Sequence, residues 1–432
     1  MKKRVLMVLT RDIPRTTSNG RERTLRFIRD AIGADAELRE LKIRSVFETG
    51  TLVSKLRAGL RVIGGVLSGK PCALQVAIFA GGDGKKQIVD AIENFRPDVV
   101  YFDGIRMVDY VAFVRRRFPE SRIVSDLDDL MSRRAGILRA ADFPLSAGYL
   151  AKSIPKPAIA LINSRIIRSL LLRYEEYALK GHERLTATCS DAVTLVSATD
   201  ADALMWMLPD PLKKRVHVIA PPIDSVKAVG RPSNPVRFVF IGADSQLQNR
   251  LAIRYLVASW KRLELRVPLV IYGGMTCQYE SVPNVTFAGF APTLADVYTP
   301  NSIALCPTFL RGGIKSKVLE AISFGCVPVG NEAAYEGLNF TDKALAMTDL
   351  RLERFLADPH GDLDEVLTAA SRFAAYCERN FSLPVFTRRW NDLLRPSLYA
   401  LKTEADITSG DSNVRAISLD AAQRTTEVQQ HH

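Results

Sequence analysis

Short apolar runs recur along the chain, each closed by glycine, aspartate or proline and separated from the next by a helix-length segment of mixed polarity. KRVLMVLT (3–10) predicts a first buried strand, and the stretch from Asn19-Gly20 through RERTLRFIRDAI predicts a helix. DVVYFDG (98–104) and RIVSDLDD (122–129) predict two more strands, both ending in acidic turns. AVTLVSATDADAL (192–204) reads as a strand running into a helix, with Ser, Thr and Asp supplying the N-cap region. HVIAPPID (217–224) is a strand stopped by Pro-Pro. Strands alternating with helices imply parallel βαβ units in a doubly wound sheet.

A break rich in Gly, Pro, Ser and Asn follows at VGRPSNP (229–235), and the scheme then restarts. VRFVFIGAD (236–244), PLVIYGG (268–274), VTFAGF (285–290), SIALCP (302–307) and CVPVGN (326–331) predict strands, with a helix from Asn249 to Leu263. The expected organisation is a Rossmann-like domain over 1–228 and a second over 229–382. A helix over 383–402 would cross back to the first domain, and a polar tail over 403–432 would be disordered. At 432 residues the chain is too long for one ordinary core, which agrees with two domains. No apolar run approaches the roughly 18 residues of a spanning helix. MKKRVLMVLTRD superficially resembles a secretory signal, but charge returns at Arg11 and Asp12 without a small-residue cleavage site, so a buried strand is the better reading. The six scattered cysteines contain no CxxC pair, which fits a reduced, cytoplasmic protein with packing cysteines. The five histidines show no ligand spacing, and no metal site is expected.

The stretch richest in chemistry is TFLRGGIKSKVLEAISFGCVPVGNEAAYEGL (308–338). Gly312 and Gly313 let backbone approach a ligand closely, and helix-forming KVLEAISF follows at once. A helix that opens on glycines and lysines offers N–H groups and positive charge together, which suits a diphosphate. Glu320 lies three residues beyond Lys317 and shares its helix face; either it accepts the paired hydroxyls of a ribose, or the two form a solvated ion pair.

FVFIGAD with Asn249 beyond it, then VIYGG, VTFAGF, GGIKSKVLEAISFGCVPVG and EGL, resembles in order the donor domain of GT-B glycosyltransferases, especially the family-4-like group. That resemblance implies an α/β fold of two Rossmann-like, doubly wound parallel-sheet domains facing a cleft. It implies a hexosyltransferase-type enzyme moving a sugar from a nucleotide-sugar to a hydroxyl acceptor, without a cofactor, the donor being UDP- or GDP-linked. It assigns Lys315 or Lys317 to the donor diphosphate, Gly312, Gly313 and Ile314 to backbone contacts, and Glu320 to ribose. Gly242 would lie under the phosphates, with Asn249 beside it and Arg250 as a second cation. The chemistry needs such groups because breaking the anomeric C–O bond builds charge on the leaving oxygens, which fixed cations and N–H dipoles stabilise. One departure stands out. The family's earlier, sugar-contacting glutamate falls on Gly312 here, so neither the sugar nor a retaining outcome follows from the resemblance.

In the first half the resemblance is looser. Gly20 sits where the first strand–helix turn of this fold faces the cleft, with Arg21 and Arg23 following, which either meet the donor phosphates or an anionic acceptor or simply start a helix. SDLDDLMSRR (125–134) places Asp126, Asp128 and Asp129 at the end of a predicted strand, where open α/β sheets put their ligands. Crowded carboxylates raise one another's pKa, so Asp128 or Asp129 is the candidate proton acceptor for the incoming hydroxyl. Arg21, Asp103 and Asp126 are expected on the acceptor side of the cleft. The bland reading is an N-cap and a braced cleft wall.

Charge is one-sided. Residues 1–230 hold 38 Lys and Arg against 26 Asp and Glu, whereas the remainder holds 21 of each, so the whole net +12 lies in the first half. LVSKLRAGLRVIGGVLSGK (52–70) sets Lys55, Arg57 and Arg61 among apolar residues, and with Arg165, Arg168 and Arg173 it suggests a face for an anionic membrane. The expected acceptor is a lipid-linked or polysaccharide intermediate of a bacterial envelope, met on the inner face of the membrane; nucleic acid is not an expected partner. Two other readings stay open: a nucleotide-sugar epimerase on the same fold, and a non-catalytic glycan- or nucleotide-binding subunit. A dinucleotide oxidoreductase is disfavoured, because no strand is followed by G-x-G-x-x-G.

Overall fold

The computed structural model describes residues 2–13, 20–49, 52–79, 83–141 and 161–395. Asn19, the predicted end of the last helix (396–402), the predicted tail (403–432) and the terminal His431-His432 lie outside the described residues. Residues 1–391 cluster as one compact unit that holds both sheets.

The first sheet is built from β1 (Lys3–Leu9), β2 (Ala36–Lys42), β3 (Val99–Asp103), β4 (Arg122–Asp128), β5 (Ala192–Leu195) and β6 (Val216–Val218). They lie in the order β2-β1-β3-β4-β5-β6, and every pairing is parallel. β3 is buried along its whole length, as a strand covered by helices on both faces must be. The edge strand β2, AELRELK, is mostly polar and outward-facing, and its apolar signal is too weak to be read from sequence.

The second sheet repeats the plan with β7 (Arg237–Ile241), β8 (Leu269–Tyr272), β9 (Val285–Gly289), β10 (Ser302–Leu305), β11 (Val327–Asn331) and the two-residue β12 (Ala346–Met347). Its order is β12-β11-β10-β7-β8-β9, again all parallel. Two parallel six-stranded sheets with helical crossovers are the architecture implied by the resemblance.

The helices that bear on function are α1 (Gly20–Asp35), α2 (Leu52–Leu67), α3 (Met131–Ala140), α4 (Arg165–Cys189), α5 (Ala198–Trp206), α6 (Leu247–Arg262), α7 (Ser316–Ser323), α8 (Leu363–Phe381) and α9 (Leu383–Leu394). Ser197 caps α5 by accepting the Asp200 N–H at 3.4 Å, which satisfies one of the orphan donors at a helix start. In α9, Trp390 is fully buried and meets Tyr101 of β3 edge-on at 5.9 Å, while Phe386 meets Phe27 of α1 at 6.4 Å. This helix, which follows the second sheet in sequence, therefore packs on the first.

Candidate active site

The centre of the site is the turn that leads into α7. Gly312 and Gly313 both adopt positive φ, +94° and +62°, which folds the backbone back on itself before the helix begins. A Cβ at Gly313 would stand 2.5 Å from Asp129 Oδ1, and one at Gly312 would stand 3.4 Å from the Arg133 guanidinium. Both neighbours come from the loop after β4 and from α3, so the turn is wedged against the first sheet's C-terminal edge. The Gly313 N–H donates to Asp200 Oδ2 at 3.3 Å. Gln248 Oε1 accepts the Leu310 N–H at 2.8 Å and fixes the start of the turn. Ile314 packs against the second sheet's core.

Among the described residues no side chain caps the N-terminus of α7, whose N-cap residue is Lys315. Uncapped N–H groups and the positive end of the helix dipole thus point into the same space as a lysine. Lys315 Nζ donates to the Gly312 carbonyl, and Lys317 Nζ donates to Asn249 Oδ1 while lying 4.5 Å from the Phe240 ring centroid. Burial lowers both lysines, Lys317 to about 8, and outweighs the nearby carboxylates, which are Asp129, Glu336 and Asp200 for Lys315 and Glu320 for Lys317. An anionic ligand would supply further compensating charge.

The Lys317–Glu320 ion pair is not formed. Glu320 instead receives Arg23 Nη2 from α1 at 2.6 Å. Asn249 donates to the Ala243 carbonyl at 2.9 Å, so it holds Lys317 to the turn after β7 rather than facing the cleft alone. Gly242 allows this: a Cβ there would lie 2.5 Å from the Asn249 side chain. Arg250 Nε donates to the Asp244 carbonyl at 2.9 Å and so braces the same turn.

A cleft of about 300 Å³ runs between Asp129, Arg134, Ile137 and Asp200 on one side and Gly312, Gly313, Ile314 and Lys315 on the other. A second recess of about 170 Å³ continues it past Asn249, Thr308, Ser316 and Lys317. Gln246, Gln248, Ile314 and Lys315 line both. Together they form an elongated space with two lysines along its floor.

Behind the cleft, Arg21 of α1 serves three carboxylates. Its Nη2 lies 2.5 Å from Asp103 Oδ1 and 3.0 Å from Asp126 Oδ2, and its Nη1 lies 3.2 Å from Asp128 Oδ1. Tyr101, Thr194 and Thr10 complete the cluster: the first two donate to Asp126 at 2.8 and 2.9 Å, the last to Asp103 at 2.7 Å. Asp103 and Asp126 are each only 2 % exposed. Arg21, Asp103 and Asp126 thus form a mostly buried brace at the C-terminal end of the first sheet, of which Arg21 and Asp103 reach a small recess beside Asp128. Gly20 is exposed at the head of α1, and a Cβ there would meet nothing within 4 Å among the described residues outside its own helix.

The brace bears on Asp128. The β4–β5 register shifts between Asp126 and Asp128, and Asp128 takes φ +64°, a strained conformation for a side-chain-bearing residue. Burial pushes its carboxyl up to about 7; Arg21 opposes this, but one guanidinium shared by three carboxylates cannot cancel their mutual repulsion. For Asp103, burial would raise the carboxyl, but Arg21, Arg11 and Thr10 outweigh it and hold the group below its usual value. The bulge also turns neighbouring side chains apart. Asp128 lines a separate pocket of about 70 Å³ with Thr10, Arg11 and Met131, whereas Asp129 lines the main cleft opposite Lys315.

Three further residues, Arg133, Asp200 and Glu336, were not singled out from the sequence as site residues. Arg133 of α3 donates to Asp200 Oδ1 at 2.9 Å and to Glu336, joining both sides of the cleft. Arg23 does the same through Glu320. Burial would lower Arg133, but Glu336 and Asp200 outweigh it and raise it. Nothing local marks these positions, because each pairs with a residue distant in sequence; only EGL, which contains Glu336, carried a signal.

Known proteins resemble this chain in the sequence of its second half and in its overall fold. Residues 235–347 match the family model of glycosyl transferases group 1. No curated protein sequence matches the chain. Among solved structures, the apo form of the lipopolysaccharide outer core galactosyltransferase WaaB superposes with a TM-score of 0.54 at 13 % identity, covering 90 % of this chain and 99 % of that one. Sucrose-phosphate synthase from Thermosynechococcus elongatus gives 0.55 at 10 % identity, covering 94 % and 100 %. A trehalose-6-phosphate protein from E. coli bound with UDP-2-fluoro glucose gives 0.51 at 10 % identity, covering 91 % and 100 %. The fold of the chain is thus GT-B.

Proposed function

We propose that this GT-B glycosyltransferase, with a glycosyl transferases group 1 domain in its second half, moves a sugar from a nucleoside-diphosphate donor to a hydroxyl of an envelope glycan or lipid-linked acceptor on the cytoplasmic side of a bacterial membrane. The observation that carries the reading is the Gly312–Gly313 turn and uncapped α7, with Lys315 and Lys317 lining a cleft that Asp129 faces from the other sheet. Two partly desolvated lysines beside an uncapped helix start fit a diphosphate better than any neutral ligand. A similar fold binds a UDP-sugar analogue, which supports a UDP-linked donor.

In this reading the acceptor oxygen attacks the anomeric carbon, and the bond from that carbon to the diphosphate oxygen breaks. The leaving nucleoside diphosphate keeps the electron pair, and Lys315, Lys317 and the α7 N–H groups stabilise it. Asp129, the one of the two candidate aspartates that faces Lys315, receives the hydroxyl proton. Asp128 instead sets the shape of the β4 end through Arg21. Glu320 exchanges Arg23 for the donor ribose, and Gly312 leaves the sugar's side of the cleft to Arg133.

The test is incubation with UDP- and GDP-sugars, with and without a lipid-linked acceptor fraction from the source cells. Acceptor-dependent release of nucleoside diphosphate with label appearing in glycolipid is expected. An epimerised nucleotide-sugar formed without acceptor, or donor binding without any turnover, would overturn it.

A further inference from the structure

The helix α2 is amphipathic in the wrong direction for a soluble protein. None of its residues is buried. Its inward stripe is made of Ser54, Ala58, Arg61, Val62 and Gly65, of which Ala58 and Val62 pack on the first sheet's core and Arg61 pairs with Asp109. The larger apolar residues point outward: Leu56, Leu60, Ile63 and Leu67 are 58 %, 65 %, 58 % and 82 % exposed. Their spacing of i, i+4, i+7 and i+11 is a continuous helical stripe. Leu52, Val53 and Val66 widen it, being 72 %, 57 % and 55 % exposed. Taking about 100° per residue, this face lies opposite the inward stripe, and Lys55 and Arg57 sit about 100° to either side of its centre. Both cations are exposed. No Asp or Glu occurs between Glu48 and Asp83.

We infer that α2 lies in the headgroup region of an anionic lipid bilayer, its leucine stripe in the acyl boundary and Lys55 and Arg57 on lipid phosphates. An apolar face bordered on both sides by cations and free of acids has the form of an interfacial helix. A second copy of the chain is a poorer occupant: pairing α2 with itself sets cation against cation, with no carboxylate in the helix to receive it. An ordinary soluble surface would place this apolar area inward. The inference deepens the proposed function by naming the element that brings the enzyme to a lipid-linked acceptor. It is testable without donor or acceptor, so either can fail alone.

The full-length protein is sedimented with vesicles of phosphatidylcholine, and of phosphatidylcholine containing phosphatidylglycerol, at low and high salt. Binding is expected on the anionic vesicles and weakened by salt. Leu60→Glu with Ile63→Glu should lower partitioning at least roughly tenfold. Lys55→Glu with Arg57→Glu should lower it about as much on anionic vesicles and far less on neutral ones. All four positions are at the surface, so an unchanged thermal midpoint will show that the fold survives. Wild-type vesicle binding by Leu60→Glu/Ile63→Glu would overturn the inference. So would a wild-type protein that ignores anionic vesicles and sediments as a dimer that the same variant dissociates.

Discussion

Burial leaves the charge of Lys317 poorly supported by its surroundings. Folding depresses its pKa to about 8 from the usual 10.5 by burial. Its contribution to stability is therefore present above the usual lysine pKa and is lost as pH falls through about 8, so below that pH it is a cost. A bound diphosphate reverses the sign by holding the ammonium charged. Donor binding at pH 8–9 is thus expected to take up a proton, seen calorimetrically as a heat that varies with buffer ionisation enthalpy. The uptake should vanish in Lys317→Met, which should also bind donor more weakly. Lys315→Ala is expected to lower transfer by roughly 100-fold or more while leaving the fold intact; near-wild-type turnover would remove the lysine from the mechanism. At this scale the sequence was informative for one half of the site. Glycines, lysines and a glutamate packed into one segment announce themselves. Arg133 and Asp200 act across the cleft, and a single sequence holds no mark of a partner that distant; Arg23 was visible as a cation after Gly20, but its pairing with Glu320 was not.

Among the elements, the turn before α7 and the helix α9 carry the clearest consequences. Gly313→Ala places a Cβ on Asp129 at a backbone angle that side chains avoid. A loss of about 1–3 kcal/mol is expected, with donor affinity falling more than the midpoint of urea unfolding suggests. Trp390→Ala empties a fully buried site between Phe386 and Tyr101 and should cost about 3–5 kcal/mol, read from urea unfolding. Strands such as VRFVFIG and DVVYFDG were legible because buried parallel strands are continuous apolar runs. β2 and β12 escaped notice, one because an edge strand is polar and the other because two residues hold no periodicity. The bulge that turns Asp128 from Asp129 was equally hidden: the sequence put both at the strand end, and only the backbone separates their pockets.

In the molecule as a whole, two sheets present their C-terminal edges to one cleft, with ion pairs across it. The GT-B plan was legible from the order of motifs; the state of the cleft was not. Arg133 with Glu336, and Arg23 with Glu320, hold the sides together, and the second pair occupies the carboxylate assigned to the ribose. Arg23→Ala should therefore make Glu320 easier to reach, so that donor affinity rises or holds while donor hydrolysis without acceptor increases. The most direct test of the central claim is calorimetric titration of UDP- and GDP-sugars into the wild-type protein and into Lys315→Ala and Glu320→Ala. The account predicts saturable binding of one donor by the wild type and at least roughly tenfold weaker binding by both variants. Equal affinity in all three proteins would place the donor elsewhere and contradict it.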